Sequence, residues 1–155
     1  MRVHIGGDHA AYDVLGELVA FMKAEGHEVT NHGPHAFDAE DDYPVFVLRA
    51  ARAVAADADS LGVVLGGSGN GEQMAANKVA GIRAALCYNE ELARLAREHN
   101  DAQVISIGGR MNTVDEAKAM VRTFLATPFS GAQRHARRID MVSAYEQDGT
   151  LPDQP

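Results

Sequence analysis

The sequence contains a single cysteine, Cys87, among its 155 residues. An internal disulfide is therefore impossible, and because Cys87 lies in an apolar, strand-like segment, we expect a buried structural thiol rather than a nucleophile. Basic residues are also few, since 14 lysines and arginines stand against 22 acidic residues and give a net charge of -8. This balance argues against broad binding to nucleic acid or to anionic membranes, although a local basic cluster can still bind one phosphate.

Long apolar runs and a signal peptide are absent from the sequence as given. We therefore expect a cytoplasmic protein that does not bind a membrane. The length suits one domain with a sizeable core, and neither a linker nor an internal repeat divides it. We place this domain at residues 1–147 and expect the polar tail, 148–155, to be loose.

Strand-like and helix-like segments alternate along the chain. Such alternation predicts an α/β domain, a Rossmann-like three-layer sandwich with helices on both faces of a five-stranded parallel sheet. We expect the strand order 2-1-3-4-5, which places a ligand crevice between the carboxyl ends of strands one and three. The predicted strands are 1–5, 28–31, 61–65, 82–88 and 104–107, and the main predicted helices are 10–25, 43–56, 89–98, 113–126 and 130–145.

The stretch 61–78 carries the strongest local signal. Its apolar run leads into Gly66-Gly67-Ser68-Gly69-Asn70-Gly71-Glu72, and helix formers follow. This pattern predicts a strand, a glycine loop and a helix N-terminus, whose N–H groups can bind an anion or a developing oxyanion. The loop lacks the lysine of a P-loop and the spacing of a dinucleotide fingerprint. Glu72 fits either an ordinary first-turn acid or a base held beside N–H donors.

Polar residues also follow strand one. Asp8 and His9 fit the start of a helix, where Asp is a common cap, and they equally fit a pair that faces a ligand. Because the expected topology brings the ends of strands one and three together, it places this pair near Glu72 and favours a chemical role for that acid.

Other candidates lie later in the chain. His99 and Asn100 end a predicted helix, where a histidine is stabilised by the dipole and can also transfer a proton. Arg134 and Arg138 share a helical face, and Arg110 follows strand five. A solvated basic surface is one interpretation of these arginines, and a phosphate site is the other.

The segment before the second predicted helix is less informative. Tyr43 fits either a pocket lining or ordinary packing. His32 and His35 lack the further ligands of a metal centre, so we expect a solvent-exposed loop and no metal there. The acidic run 38–42, which includes Asp41, is expected to be solvated surface.

Six ordered blocks, taken together, resemble the ribose-5-phosphate isomerases of the B type, whose wider family also includes galactose- and allose-6-phosphate isomerases. The resemblance runs from Met1 to about Tyr145. The blocks are Gly6-Gly7-Asp8-His9-Ala10, Gly66-Gly67-Ser68-Gly69-Asn70-Gly71-Glu72, Ala75-Ala76-Asn77-Lys78, Arg97-Glu98-His99-Asn100, Gly108-Gly109-Arg110 and Arg134-His135-Ala136-Arg137-Arg138.

This resemblance implies interconversion of ribose 5-phosphate and ribulose 5-phosphate, a reaction of the pentose phosphate pathway, without a cofactor. It also implies a homodimer or a dimer of dimers, with sites at the subunit interface. Glu72 would be the base that forms a cis-enediolate, His99 would assist ring opening with Asp8, and Ser68 would help to stabilise the oxyanion. The implied substrate contacts are Asp8, His9, Gly67, Ser68, Gly69, Asn70, Gly71, Asn100, Arg110, Arg134 and Arg138.

One position departs from the common family pattern. Many members carry a cysteine base where this sequence has Gly66, and the chain resembles instead the branch with a glutamate at the position of Glu72. An allose- or galactose-6-phosphate isomerase is the nearest alternative. A non-catalytic nucleotide-binding module is an alternative of another class, but the combination of Asp8, Glu72 and His99 favours an enzyme.

Overall fold

The computed structural model describes residues 1–154, and there it contains five parallel strands and six α-helices. The predicted α/β class is confirmed. The strands are β1 (Arg2–Gly7), β2 (Glu28–Asn31), β3 (Leu61–Gly66), β4 (Ala84–Leu86) and β5 (Val104–Gly108). The helices are α1 (Tyr12–Ala24), α2 (Tyr43–Ala56), α3 (Asn70–Ala76), α4 (Glu90–Asn100), α5 (Val114–Ala126) and α6 (Gln133–Asp148), and a 3-10 turn covers His9–Ala11.

The strand order is β2-β1-β3-β5-β4, so the expected order 2-1-3-4-5 is wrong at one edge of the sheet. All five residues of β5 are buried, whereas β4 has three residues, of which only the first is buried. The longer, wholly buried strand therefore takes the interior place, and the short strand takes the edge. The part of the order that places the crevice is correct, because β1 pairs directly with β3.

Alternate residues of the central strand serve the two faces of the sheet, as the two-residue period of a strand requires. Val63 belongs to the larger apolar cluster, with Phe124 of α5, while Val64 belongs to the smaller one, with Val47 of α2. Every residue of β3 is buried. This arrangement confirms helical layers on both faces and makes β3 the rigid centre from which the glycine loop leaves.

Several predicted boundaries need correction. Strand four covers three residues rather than 82–88, and the last helix begins at Gln133 and continues to Asp148. The chain after β1 forms the 3-10 turn before α1 because the Asp8 carboxylate accepts the Ala10 N–H at 3.0 Å. The loose tail remains a prediction, and Pro155 lies outside the described residues.

Cys87 is buried, as expected, and burial raises the pKa of its thiol to about 12. A thiol with such a pKa is a poor nucleophile at neutral pH. Across residues 1–154, none of the helices combines the length and the apolar character that crossing a membrane requires.

Asn77 ties the end of α3 to the edge strand β4. Its Nδ2 donates to the carbonyls of Gln73 and Ala84 at 3.0 and 2.9 Å, and its Oδ1 accepts the Ala84 N–H at 2.8 Å. A short strand at a sheet edge has few other hydrogen bonds. The Asn77 amide therefore supplies hydrogen bonds that a neighbouring strand would otherwise make.

Replacing Asn77 with alanine should therefore lower the free energy of unfolding by about 1–3 kcal/mol, because the Ala84 N–H loses its partner at a partly buried position. Urea denaturation followed by circular dichroism measures this loss. A change below about 0.5 kcal/mol, typical of a neutral surface substitution, would show that the bridge contributes nothing.

Candidate active site

A cavity of about 520 Å³ lies where the carboxyl ends of β1 and β3 meet. This is the expected position of a ligand crevice in a doubly wound sheet. Side chains from the β1–α1 connection, the glycine loop and the segment after β5 converge there. The lining consists of Asp8, His9, Ala10, Tyr43, Gly67, Ser68, Gly71, Glu72, Arg110 and Met111.

The glycine loop is held from two sides. Gly69, the residue before α3, has a φ of +81°, a left-handed conformation that favours glycine. Its carbonyl accepts the hydroxyl proton of the buried Ser106 at 2.7 Å. The Arg110 N–H donates to the Gly67 carbonyl at 3.0 Å, so the loop after β5 is paired with the loop after β3. These bonds give the loop one defined shape beside the cavity.

Glu72 lies in the first turn of α3, and the residue is only 4% exposed. Its carboxylate occupies the space beside Gly66, the last residue of β3, because a Cβ built at Gly66 would overlap it. Glycine at position 66 is thus what lets the carboxylate reach the edge of the sheet. The resemblance implies a cysteine base at position 66 in many family members, and in this chain the glycine there leaves the space to the Glu72 carboxylate.

Burial raises the pKa of Glu72, and the nearby charge of Asp8 raises it further, while the backbone N–H groups of Glu72 and Gly69 oppose the shift. Burial likewise raises the pKa of Asp8, which is 7% exposed. Two carboxyl groups whose pKa values are raised hold a proton more readily than ordinary carboxyl groups, which suits them to accept and return protons.

His9 is paired with a residue that the sequence pattern assigned to solvent. The Asp41 carboxylate accepts the His9 backbone N–H at 2.9 Å and lies 2.7 Å from His9 Nδ1. The Asp41 side chain is only 9% exposed, so the expectation that the whole acidic run is solvated surface is wrong for this residue. The hydrogen bond to Asp41 raises the pKa of His9 and favours the imidazolium.

Asp8, His9 and Asp41 also place one oxygen or nitrogen atom each within 4.8 Å of one another, so this group could hold a cation. The 2.7 Å separation of His9 Nδ1 from the Asp41 oxygen is a hydrogen-bond distance, which puts a proton between these two atoms.

Three further residues complete the lining. Tyr43, the first residue of α2, lies over the glycine loop, since a Cβ built at Gly71 would be 2.8 Å from its ring carbon Cζ. Arg110 brings a positive charge to the cavity, next to Gly67. Met111 also lines the cavity, and no sequence pattern predicted it.

Six predicted site residues are absent from the cavity lining: Gly69 and Asn70 lie where the glycine loop meets α3, and the other four lie elsewhere. Within the described chain, the cavity lining does not include His99, Asn100, Arg134 or Arg138. His99 ends α4 and its ring packs against that of His135 on α6, with 4.2 Å between the ring centroids. The charges of Arg134 and Arg138 also act on His135, so these side chains form a second cluster, outside the cavity lining.

Helix α6, which carries the two arginines, buries none of its residues against its own chain. It exposes Met141, Val142 and Tyr145 to solvent. A helix with an apolar surface and no buried residue is typical of one that packs on another subunit.

The fold and the cavity define a doubly wound α/β protein whose buried carboxyl groups, glycine loop and cationic side chain suit a small anionic substrate. The chain belongs to the ribose/galactose isomerase family, because the family profile described as Ribose/Galactose Isomerase matches residues 3–142.

Similar proteins bear the narrower name that the six blocks predicted. A ribose-5-phosphate isomerase B of Mycobacterium tuberculosis is 54% identical over 155 residues, which cover all of this chain and 96% of that protein. The Escherichia coli protein of the same name is 35% identical, over 94% of this chain and 97% of its own.

Solved structures agree with this assignment. The ribose-5-phosphate isomerase B of Clostridium thermocellum has a TM-score of 0.91 and 41% identity, over 97% of this chain and all of its own. The Mycoplasma genitalium enzyme, solved with bound ribulose-5-phosphate, has a TM-score of 0.91 and 38% identity, over 95% of this chain and 97% of its own. The resemblance to the B-type isomerases is confirmed.

Substituting alanine for Gly66 should displace the Glu72 carboxylate towards solvent, because that group is the end of a flexible side chain and moves more easily than β3. Since burial is the main cause of the raised pKa, the Glu72 pKa should fall in the variant. Carboxyl carbon NMR titration of Glu72 measures this shift.

Gly16→Ala is the matched control, since a Cβ at Gly16 meets nothing within 4 Å. It should leave the Glu72 titration unchanged. An unaltered Glu72 pKa in the Gly66→Ala protein would mean that the two positions do not compete for space.

Proposed function

We propose that this protein interconverts D-ribose 5-phosphate and D-ribulose 5-phosphate, and so acts in the pentose phosphate pathway. The observation that carries the proposal is the Glu72 carboxylate, buried beside Asp8 and the glycine loop at the carboxyl edge of the sheet. The names of the relatives and the ribulose-5-phosphate bound in the Mycoplasma genitalium structure support the same substrate.

The furanose ring must open before isomerisation. In our proposal His99 protonates the ring oxygen, and Asp8 accepts the proton of the anomeric hydroxyl. The raised pKa of Asp8 supports its part, because a carboxylate that is partly desolvated holds a proton more readily than a solvated one.

Glu72 then removes the proton from C2 of the open aldose and returns it to C1, while the hydroxyl proton moves from O2 to O1 as the carbonyl passes from C1 to C2. The intermediate is a cis-enediolate, whose negative charge spreads over the two oxygens. N–H groups of the glycine loop, from Gly67 to Gly71, and the Ser68 hydroxyl are placed to stabilise that charge, an effect that reaches about 3–4 kcal/mol for one well-aimed donor. No cofactor is needed, because the electrons stay within the sugar.

The phosphate is distant from the reacting carbons, and its binding can orient them. We assign it to arginines: Arg110 from the cavity, and Arg134 and Arg138 from α6. The remaining proposed contacts with the sugar are His9, Tyr43, Gly69, Asn70 and Asn100.

We propose that the chain forms a homodimer, or a dimer of dimers, with its sites at the subunit interface. The exposed apolar surface of α6 and the distance of His99 and the α6 arginines from the cavity lining support an interface at which one subunit completes the site of the other. We also propose a cytoplasmic location, where phosphorylated sugars are metabolised.

Replacing Glu72 with glutamine should reduce kcat for ribose 5-phosphate by about 10³-fold, because the amide cannot accept the C2 proton. Product formation in a ketose-coupled assay measures the loss, and calorimetry should show that the sugar phosphate still binds. Glu28→Gln, on the exposed side of β2, is the control and should retain activity. Turnover near that of the wild type would remove Glu72 from the role of base.

Arg134→Ala tests the shared site. We would coexpress Arg134→Ala and Glu72→Gln subunits with different tags and isolate the mixed dimers. If α6 serves the partner's cavity, one of the two symmetric sites in each mixed dimer is intact, so activity should return to about half of wild type.

The two parent proteins fix the baseline, and Arg137→Ala, on the same helix, should leave KM near the wild-type value. Mixed dimers as inactive as their parents would place Arg134 and Glu72 in the same subunit's site.

Ribose 5-phosphate and allose 6-phosphate are assayed side by side with the wild-type enzyme, and a higher kcat/KM for the hexose would overturn the pentose assignment.

A further inference from the structure

The loop between β2 and α2, residues 32–42, reaches the cavity through one buried acid. Asp41 stands out within it because a single carboxylate oxygen, Oδ1, faces both the backbone N–H and the ring Nδ1 of His9. The neighbouring Glu40 is exposed, and its side chain has no such contact. The resemblance to known isomerases assigned no role to Asp41.

We propose that Asp41 is a positioning residue for His9, holding the ring with Nδ1–H towards the loop so that Nε2 is presented to the substrate. The proposal rests on the proposed function for the identity of that substrate, a phosphorylated sugar.

The argument begins with the donors and acceptors. An ionised carboxylate only accepts hydrogen bonds, so at 2.7 Å the His9 Nδ1 must carry the proton. In the neutral ring, Nε2 is then an acceptor, and in the imidazolium it is a second donor. Because the backbone N–H of His9 is bound to the same oxygen, neither the main chain nor the ring can turn without breaking a bond.

The second carboxylate oxygen supports this role. Asp41 Oδ2 is buried, and no hydrogen-bond partner for it is found in the part of the chain that the structure describes. A carboxylate held in this state is destabilised unless a cation lies beside it. His9 in its charged form is the nearest such group, so the two side chains stabilise each other's charge.

Packing restricts the ring further. The exposed Phe37, from the same loop, packs perpendicular to the His9 ring, with centroids 6.5 Å apart and planes at 88°. The beginning of the loop is attached to β1, because the Gly7 N–H donates to the Gly33 carbonyl at 3.0 Å. The first residues of the loop are therefore fixed beside β1, and the loop extends from there to His9.

The charged neighbours of His9 shift its pKa in both directions. Asp41 and Asp8 raise the pKa of His9, and Arg110 across the cavity lowers it. A cationic His9 adds positive charge to the cavity that, in our proposal, receives an anionic sugar phosphate, so affinity should weaken as pH rises through the His9 pKa. Removing the charge of Asp41 lowers that pKa and should move this weakening to lower pH.

The direct test uses side-chain nitrogen NMR of His9 and needs no turnover. In the wild-type protein the neutral ring should be the Nδ1–H tautomer. Asp41→Asn should lower the His9 pKa and reduce binding of inorganic phosphate, whereas Glu40→Gln, which removes the same charge from the same loop, should do neither. An Nε2–H tautomer in the wild type, or equal titrations in all three proteins, would overturn the proposal.

Kinetics provide the second test. Asp41→Asn should raise KM for ribose 5-phosphate about threefold to tenfold, the weight of one charge-assisted hydrogen bond, and change kcat less. In a His9→Gln background the same substitution should have a smaller effect, because the ring that Asp41 positions is gone and only the backbone N–H of residue 9 remains as its partner. Additive effects would show that Asp41 acts independently of His9. A wild-type protein without isomerase activity would refute the proposed function and leave the NMR result to decide the positioning role.

Discussion

The site depends on one constraint of space, the packing of the Glu72 carboxylate against the end of β3. The strand is buried along its whole length, so its last residue is fixed in position. Glycine at position 66 leaves a volume there that any side chain would fill, and the carboxylate occupies it. A base introduced from the first turn of the following helix thus reaches the edge of the sheet. The carboxylate needs both a rigid strand and a residue without a Cβ at position 66. Loss of either one would move it.

Burial at this place has two opposed electrostatic consequences. Removing the carboxylate from water raises its pKa, and Asp8 adds to the effect, whereas N–H groups at the start of α3 stabilise the ionised form. Desolvation is the larger influence, so the group holds a proton more readily than an ordinary glutamate does. One of these N–H groups, that of Gly69, belongs to the loop that we assign to the oxyanion. The loop therefore limits the rise in the pKa of Glu72. In the proposed reaction it also stabilises the negative charge that forms when Glu72 removes the proton.

Much of this architecture could be predicted because it is local. The alternation of segments predicted the layers, and the glycine loop predicted the junction of β3 with α3. The order of β4 and β5 could not be read in this way, because it depends on which strand buries more surface. Asp41 illustrates a deeper limit: its carboxylate resembles those of its acidic neighbours in sequence, and only a tertiary contact across 32 positions separates it from them. The spacing of the α6 arginines singled them out, but their proposed role in a cavity depends on a second subunit, which the sequence of one chain does not describe.

An acid beside a site for an anion needs an explanation, especially in a chain with a net charge of -8. The charge of Asp41 is compensated locally, since a proton shared with His9 leaves the pair close to neutral. The pair therefore contributes the orientation of the His9 ring more than a net charge. Two hydrogen bonds to Asp41 and the contact with Phe37 hold the ring so that Nε2 presents an N–H or a lone pair. Arg110 can supply the positive field without such fixing, because a guanidinium is always charged. A histidine is not, so its orientation and its proton must both be controlled by a neighbour.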